Sequence, residues 1–111
     1  MTQKTYSFNL SILLLQEDKT WIAQCLEWDI AAQGKTLDDA LKSFEKTFVG
    51  QLVLDIGQDK NPLENTPRTP KEYWTKFEQA KKLEERKPFY LPEEISLACI
   101  TASAQDLRIA A

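Results

Sequence analysis

Along residues 5 to 16 the chain alternates, with Tyr6, Phe8, Leu10, Ile12 and Leu14 on one side and Ser7, Asn9 and Ser11 on the other. Successive side chains of a strand point to opposite faces, so this period of two predicts a β-strand with one buried face. The polar stretch Gln16-Glu17-Asp18-Lys19 separates it from a second strand-like run, Thr20 to Glu27. Two such runs joined by so few residues pair as a hairpin, with the apolar face choosing the register. Ile30 to Gln33 makes a third short strand that stops at Gly34.

The period then changes. Thr36-Leu37-Asp38-Asp39 places a hydroxyl at a helix N-cap and carboxylates in the first turn, where the helix dipole favours them. Leu37, Leu41, Phe44, Phe48 and Leu52 recur at helical spacing and form one apolar stripe suited to covering a sheet. Val49, Val53 and Ile56 add a second stripe, so the far half of this helix is apolar on two sides and is expected to touch either the second helix or another subunit. Gly57 ends it, and residues 57–69, with Asn61-Pro62 and Thr66-Pro67, read as a surface loop. Thr69-Pro70-Lys71-Glu72 has the form of a capping box and predicts a second helix that ends before Pro88, its first turns apolar and its last turns charged. Ile95 to Ala102 reads as a final strand, and 103–111 as a loosely held tail.

The expected fold is therefore α+β, a single domain over 1–111. It is two-layered: a three-stranded antiparallel sheet packed by one helix, then a second helix and a last strand, in the order β-β-β-α-α-β. Open sheet edges and the doubly apolar helix together predict a homo-oligomer.

Charge refines this picture. Residues 1–56 hold five lysines against eight carboxylates, whereas the remainder is balanced, so the whole excess of −3 lies in the first half. No basic run exists to track a phosphate backbone, which argues against direct DNA binding by this chain and leans toward a basic partner. The apolar start alternates where a secretion signal would be continuous, and no apolar run exceeds the four residues of Ile12 to Leu15, far below the roughly 20 residues of a membrane helix. A cytoplasmic protein that does not enter the membrane is expected. Cys25 and Cys99 each sit in an apolar run and read as buried, inert thiols, not as a disulfide.

Residues 20 to 41 also carry a family resemblance. Trp21, Ala23 and Cys25 in the second strand, followed by Gly34, Thr36, Asp39 and Ala40 at the entry to the first helix, resemble the HicB-like antitoxin domain, and with the first strand the likeness spans residues 5–56. The resemblance implies an antitoxin, or a protein derived from one, that masks a small basic ribonuclease toxin by occupying its nucleic-acid surface. It also implies a domain likened to a degraded ribonuclease H fold. This chain departs from the family pattern in having Trp28-Asp29-Ile30 where many members have Pro-Gly, and in showing no helix-turn-helix or ribbon-helix-helix module after the first domain.

Catalysis finds little support in the residue inventory. The chain has no histidine, which removes the commonest general base and the Ser-His and Cys-His nucleophiles. The first strand has no carboxylate before Glu17 to help hold the two metals of a nuclease, and three scattered glycines make no phosphate-cradling loop. No cofactor and no metal are expected. The candidate partner-binding residues are the acidic ones of segment 16–29, Glu17, Asp18, Glu27 and Asp29, with Trp28 as an aromatic anchor between the last two. An alternative role is a stand-alone homo-oligomeric domain that binds a small ligand or serves a structural purpose.

Overall fold

The computed structural model describes residues 6–93 and 100–110. Its elements are β1 (Tyr6–Glu17), β2 (Thr20–Cys25), β3 (Ala31–Gly34), α1 (Leu37–Gly57), α2 (Lys71–Gln79), β4 (Lys81–Lys82), β5 (Lys87–Pro88) and β6 (Ile100–Ile109). The described strands form one mixed sheet in the order β3-β2-β1-β6, and both β4 and β5 line the far edge of β6. β1 is its centre, antiparallel to β2 and parallel to β6. Parallel neighbours need a long crossover, and here the connection contains both helices.

The alternation in β1 has a direct structural consequence. Phe8, Leu10, Ile12 and Leu14 all face α1 and pack with its Leu41, Phe44, Phe48 and Leu52. Phe44 and Phe48 are completely buried, each such side chain stabilising the fold by about 1.5–3 kcal/mol through burial. Their rings continue an aromatic cluster that takes in Phe8, 5.8 Å from Phe48, and Phe89, 6.0 Å from Phe44. In the second half of β1 the opposite face is also covered, because Leu13 packs with Leu26 and Phe77 of α2, and Leu15 lies against the same group. The unbroken run Ile12 to Leu15 is therefore a strand segment buried on both sides.

Gly34 joins β3 to α1 at close range. A Cβ there would lie 2.6 Å from the carbonyl carbon of Asp39, so only glycine permits the helix to start this near the strand. Thr36 caps α1 as expected, its hydroxyl accepting from the Asp39 amide at 3.0 Å. The set Gly34, Thr36, Asp39 and Ala40 thus has a packing role, with Ala40 fully buried.

Several expectations are corrected. The sheet has six strands among the described residues instead of three plus one, and α2 lies on the face opposite α1, which makes three layers. The second helix stops at Gln79. Residues 81 to 89 run extended along β6, with Leu83 N–H bonded to Leu107 O and Phe89 N–H to Ala102 O. Thr69 does not cap α2, because its hydroxyl is buried and donates to the Cys25 carbonyl. The stretch 103–109, expected as part of a loose tail, is the main length of β6, beside the central strand. The first part of the expected last strand, 95–99, lies outside the described residues.

Candidate partner-binding surface

The acidic residues singled out in the sequence fall in two places. Glu17 closes β1 opposite Thr20, and Asp18 forms the hairpin turn with φ of 55°, a left-handed conformation that Asp tolerates better than most residues. Leu26, at the other end of β2, donates its amide to Ser11 O. Six strand residues therefore separate Glu17 from the neighbourhood of Glu27, about 20 Å. The two acidic sites are not one patch.

Glu27, Trp28 and Asp29 have partners inside the protein. Glu27 Oε1 accepts from the Ser11 amide at 2.9 Å and from Cys25 Sγ at 3.6 Å. Trp28 packs against the main core with its ring edge-on to Phe8 at 5.3 Å. Asp29 Oδ1 accepts from Gln24 Nε2 at 3.1 Å, and its amide donates to Pro67 O. The buried Gln24 amide also lies within bonding range of Cys25 O and Thr69 Oγ1, so this polar group fastens the 67–69 loop to the end of β2. Burial pushes the Cys25 thiol up to about 12, with the nearby Glu27 charge adding to the effect, so the sulfur stays protonated and unreactive near neutral pH. Cys99 lies outside the described residues.

A different surface stands out by exposure. On the outer side of α1, Val53 is 38% exposed and Leu54 52%, and Tyr90, after β5, is 89% exposed. Glu45, Lys46, Val49 and Gly50 of α1 together with Tyr90, Leu91 and Pro92 line an open groove of about 520 Å³. Because α2 is on the far face of the sheet, it does not cover this side of α1. Within the groove, Glu45 Oε1 is shielded from solvent and has no hydrogen-bond partner among the described residues. An unpaired buried carboxylate oxygen is costly, and a cation supplied from outside would relieve it.

Val49 and Val53 were legible as a second apolar stripe, but Tyr90, Leu91 and Pro92 were not assigned to any surface. The signal for them was the apolar run Phe89-Tyr90-Leu91 beside a charged segment, in which Phe89 is buried in the core, Leu91 packs partly against it and Tyr90 stays exposed. Among the described residues no group of three or more Asp, Glu or Cys side chains is placed to hold a metal, and no helix is long and apolar enough to cross a membrane. Comparison with family models, curated proteins and solved structures found no match. The class of protein defined by fold and surface is thus an α+β domain with a mixed sheet and an exposed apolar groove on one helix.

Proposed function

We propose that this chain is a non-catalytic protein-binding domain, an antitoxin or antitoxin-derived protein that neutralises a small basic ribonuclease by occlusion. The observation that carries the reading is the groove on α1. It combines the half-buried Val49 and Leu91 and the exposed Tyr90 ring with Glu45, whose Oε1 has no hydrogen-bond partner among the described residues, and Lys46 lies beside them. Aromatic anchors and pockets that exclude water are the usual centre of an interface. Glu45 beside Tyr90 fits a lysine or arginine of the partner, which gains both an ion pair and a ring face. The acidic hairpin turn at Glu17 and Asp18 is exposed and adds to the attraction of a basic protein at longer range. Resemblance of residues 5–56 to the HicB-like domain supplies the toxin class, a small ribonuclease.

The test is a search beside its gene for a short basic reading frame and co-expression with the product of any such frame, scored by relief of growth arrest and by co-purification. Relief that is lost in Tyr90→Ala and Glu45→Lys supports the reading. A neighbouring frame without ribonuclease activity, or relief unchanged in both variants, contradicts it. A second role as a homo-oligomer is favoured by the outer edge of β3, with which no strand pairs among the described residues.

A further inference from the structure

The geometry points to self-association of this chain through β3, two copies pairing antiparallel about a two-fold axis at Ala32 to make one continuous sheet. This inference rests on the sheet edge and not on the identity of any toxin.

The two edges of the sheet differ. Beyond β6 the edge is covered by residues 81 to 89, whereas β3 has β2 on one side and, among the described residues, no strand on the other. The hydrogen-bond phase of β3 follows from its neighbours. Cys25 N–H donates to Ile30 O, and Leu26 N–H donates to Ser11 O, so odd-numbered β2 residues turn their backbone groups toward β3 and even-numbered ones toward β1. In the register of Trp21 with Gly34 and Ala23 with Ala32, those two β3 residues bond inward. Ala31 and Gln33 consequently present N–H and C=O outward, and no hydrogen bond to them is made by loops or caps among the described residues.

That phase restricts how a second strand can add. An antiparallel partner must match outward residues with outward residues, so a second β3 pairs Ala31 of one copy with Gln33 of the other, and the reverse, through four N–H···O bonds. Ala32 then faces Ala32 of the second copy in a non-hydrogen-bonded pair, where Cα atoms approach to about 4.5 Å, and alanine leaves room for that approach. On the opposite face, Gln33 of one copy lies beside the small Ala31 of the other, over the depression lined by Glu17, Ile22, Ala31, Ala32 and Gln33.

Charge complementarity selects this alignment. Lys35 comes two residues after Gln33, in the bend just past the end of β3, and Asp29 Oδ1 bonds Gln24, whose side chain lies on the α2 side with Thr69. Centring the axis on Ala32 sets Lys35 of each copy across from Asp29 of the other, giving two symmetric ion pairs. Asp29 Oδ2 has no partner among the hydrogen bonds of the described residues. The Asp29 amide already donates to Pro67 O, so the new ladder ends at Ala31 and the charge pair is a side-chain contact. The edge is otherwise short and uncharged, without the proline, inward charge or bulge that guards an exposed strand.

Sedimentation velocity of the full chain from micromolar to millimolar concentration, with cysteine cross-linking, tests this. The weight-average mass should rise toward twice that of the chain. Gln33→Pro removes an outward N–H without touching the ladder to β2, and should leave a monomer whose melting curve matches wild type. Lys35→Asp should weaken the dimer by tenfold or more, and adding Asp29→Lys should restore it. Under mild oxidation Ala32→Cys should cross-link faster than Gln33→Cys, because only residue 32 faces itself, with untreated and wild-type protein as controls. A monomer at millimolar concentration overturns the proposal, as does a folded Gln33→Pro that still dimerises. Equal cross-linking at positions 32 and 33 overturns it even if the proline variant does not fold.

Discussion

Replacing Gly34 by alanine adds one methyl group where the strand meets the helix. Its Cβ would sit 2.6 Å from the Asp39 carbonyl carbon and 2.7 Å from the Asp39 Cβ, well inside contact distance, and the closest atoms belong to backbone that cannot swing away. Gly34 does not have a positive φ, so no backbone strain enters and the whole effect is steric. Forcing extra volume into a well-packed site costs about 1–3 kcal/mol, and contact with backbone belongs at the upper end. At roughly 4–8 °C per kcal/mol for a domain of this size, the melting temperature should fall by about 10 °C. Gly50 is the internal control. A Cβ there meets nothing within 4 Å, and alanine in a helix interior is favoured over glycine, so Gly50→Ala should raise stability by about 0.5–1 kcal/mol. Thermal denaturation followed by circular dichroism measures both. A Gly34→Ala protein melting within a degree or two of wild type would refute the close approach of β3 and α1.

Three other outcomes are expected. Trp28→Ala should lower stability by about 2 kcal/mol, less than a fully buried aromatic, since the ring is half-buried against Phe8; unchanged melting with weakened partner binding would restore Trp28 as an anchor. Ending the chain at residue 102 removes most of β6 and should abolish cooperative unfolding, whereas a truncated protein with a wild-type melting curve would contradict the pairing of β1 with β6. Cys25 should resist thiol reagents in the native state and react in denaturant, as followed by mass spectrometry of the labelled site. Its raised pKa contributes stability that is complete below the ordinary value of 9.0 and is lost as pH climbs toward about 12. Wild type should therefore lose stability above pH 9 more steeply than Cys25→Ala.

The first half of the fold was legible because its signals are local. A clean period of two gave β1, a short polar break gave the hairpin, and Thr36 before two aspartates gave the start of α1. The second half was obscured by tertiary effects. β6 contains an extra residue, Gln105, where the register with β1 shifts between Leu10 and Ser11. Ile100, Ala102 and Ala104 therefore face α1 at even positions, but Leu107 and Ile109 face it at odd ones, and alternation across the bulge reads as no strand at all. The charged stretch after Gln79 has good helix formers, yet Leu83 and Phe89 bond to β6 in extended form, so pairing with the sheet edge overrides propensity. Thr69 looked like a cap by spacing but serves the buried group around Gln24, which links residues far apart in the chain. The acidic segment was contiguous in sequence, and the hairpin carries its two halves to opposite ends of β2.

The central claim, that the groove of Glu45, Val49 and Tyr90 seats a basic ribonuclease, is tested most directly by titrating the purified chain into any small basic ribonuclease found encoded beside it while following RNA cleavage. The expected result is stoichiometric inhibition that weakens as salt rises, because exposed charges are screened, and that is lost by more than tenfold in Tyr90→Ala with its melting temperature unchanged. Full cleavage in the presence of excess folded chain, or inhibition equally strong in the Tyr90→Ala variant, would contradict it.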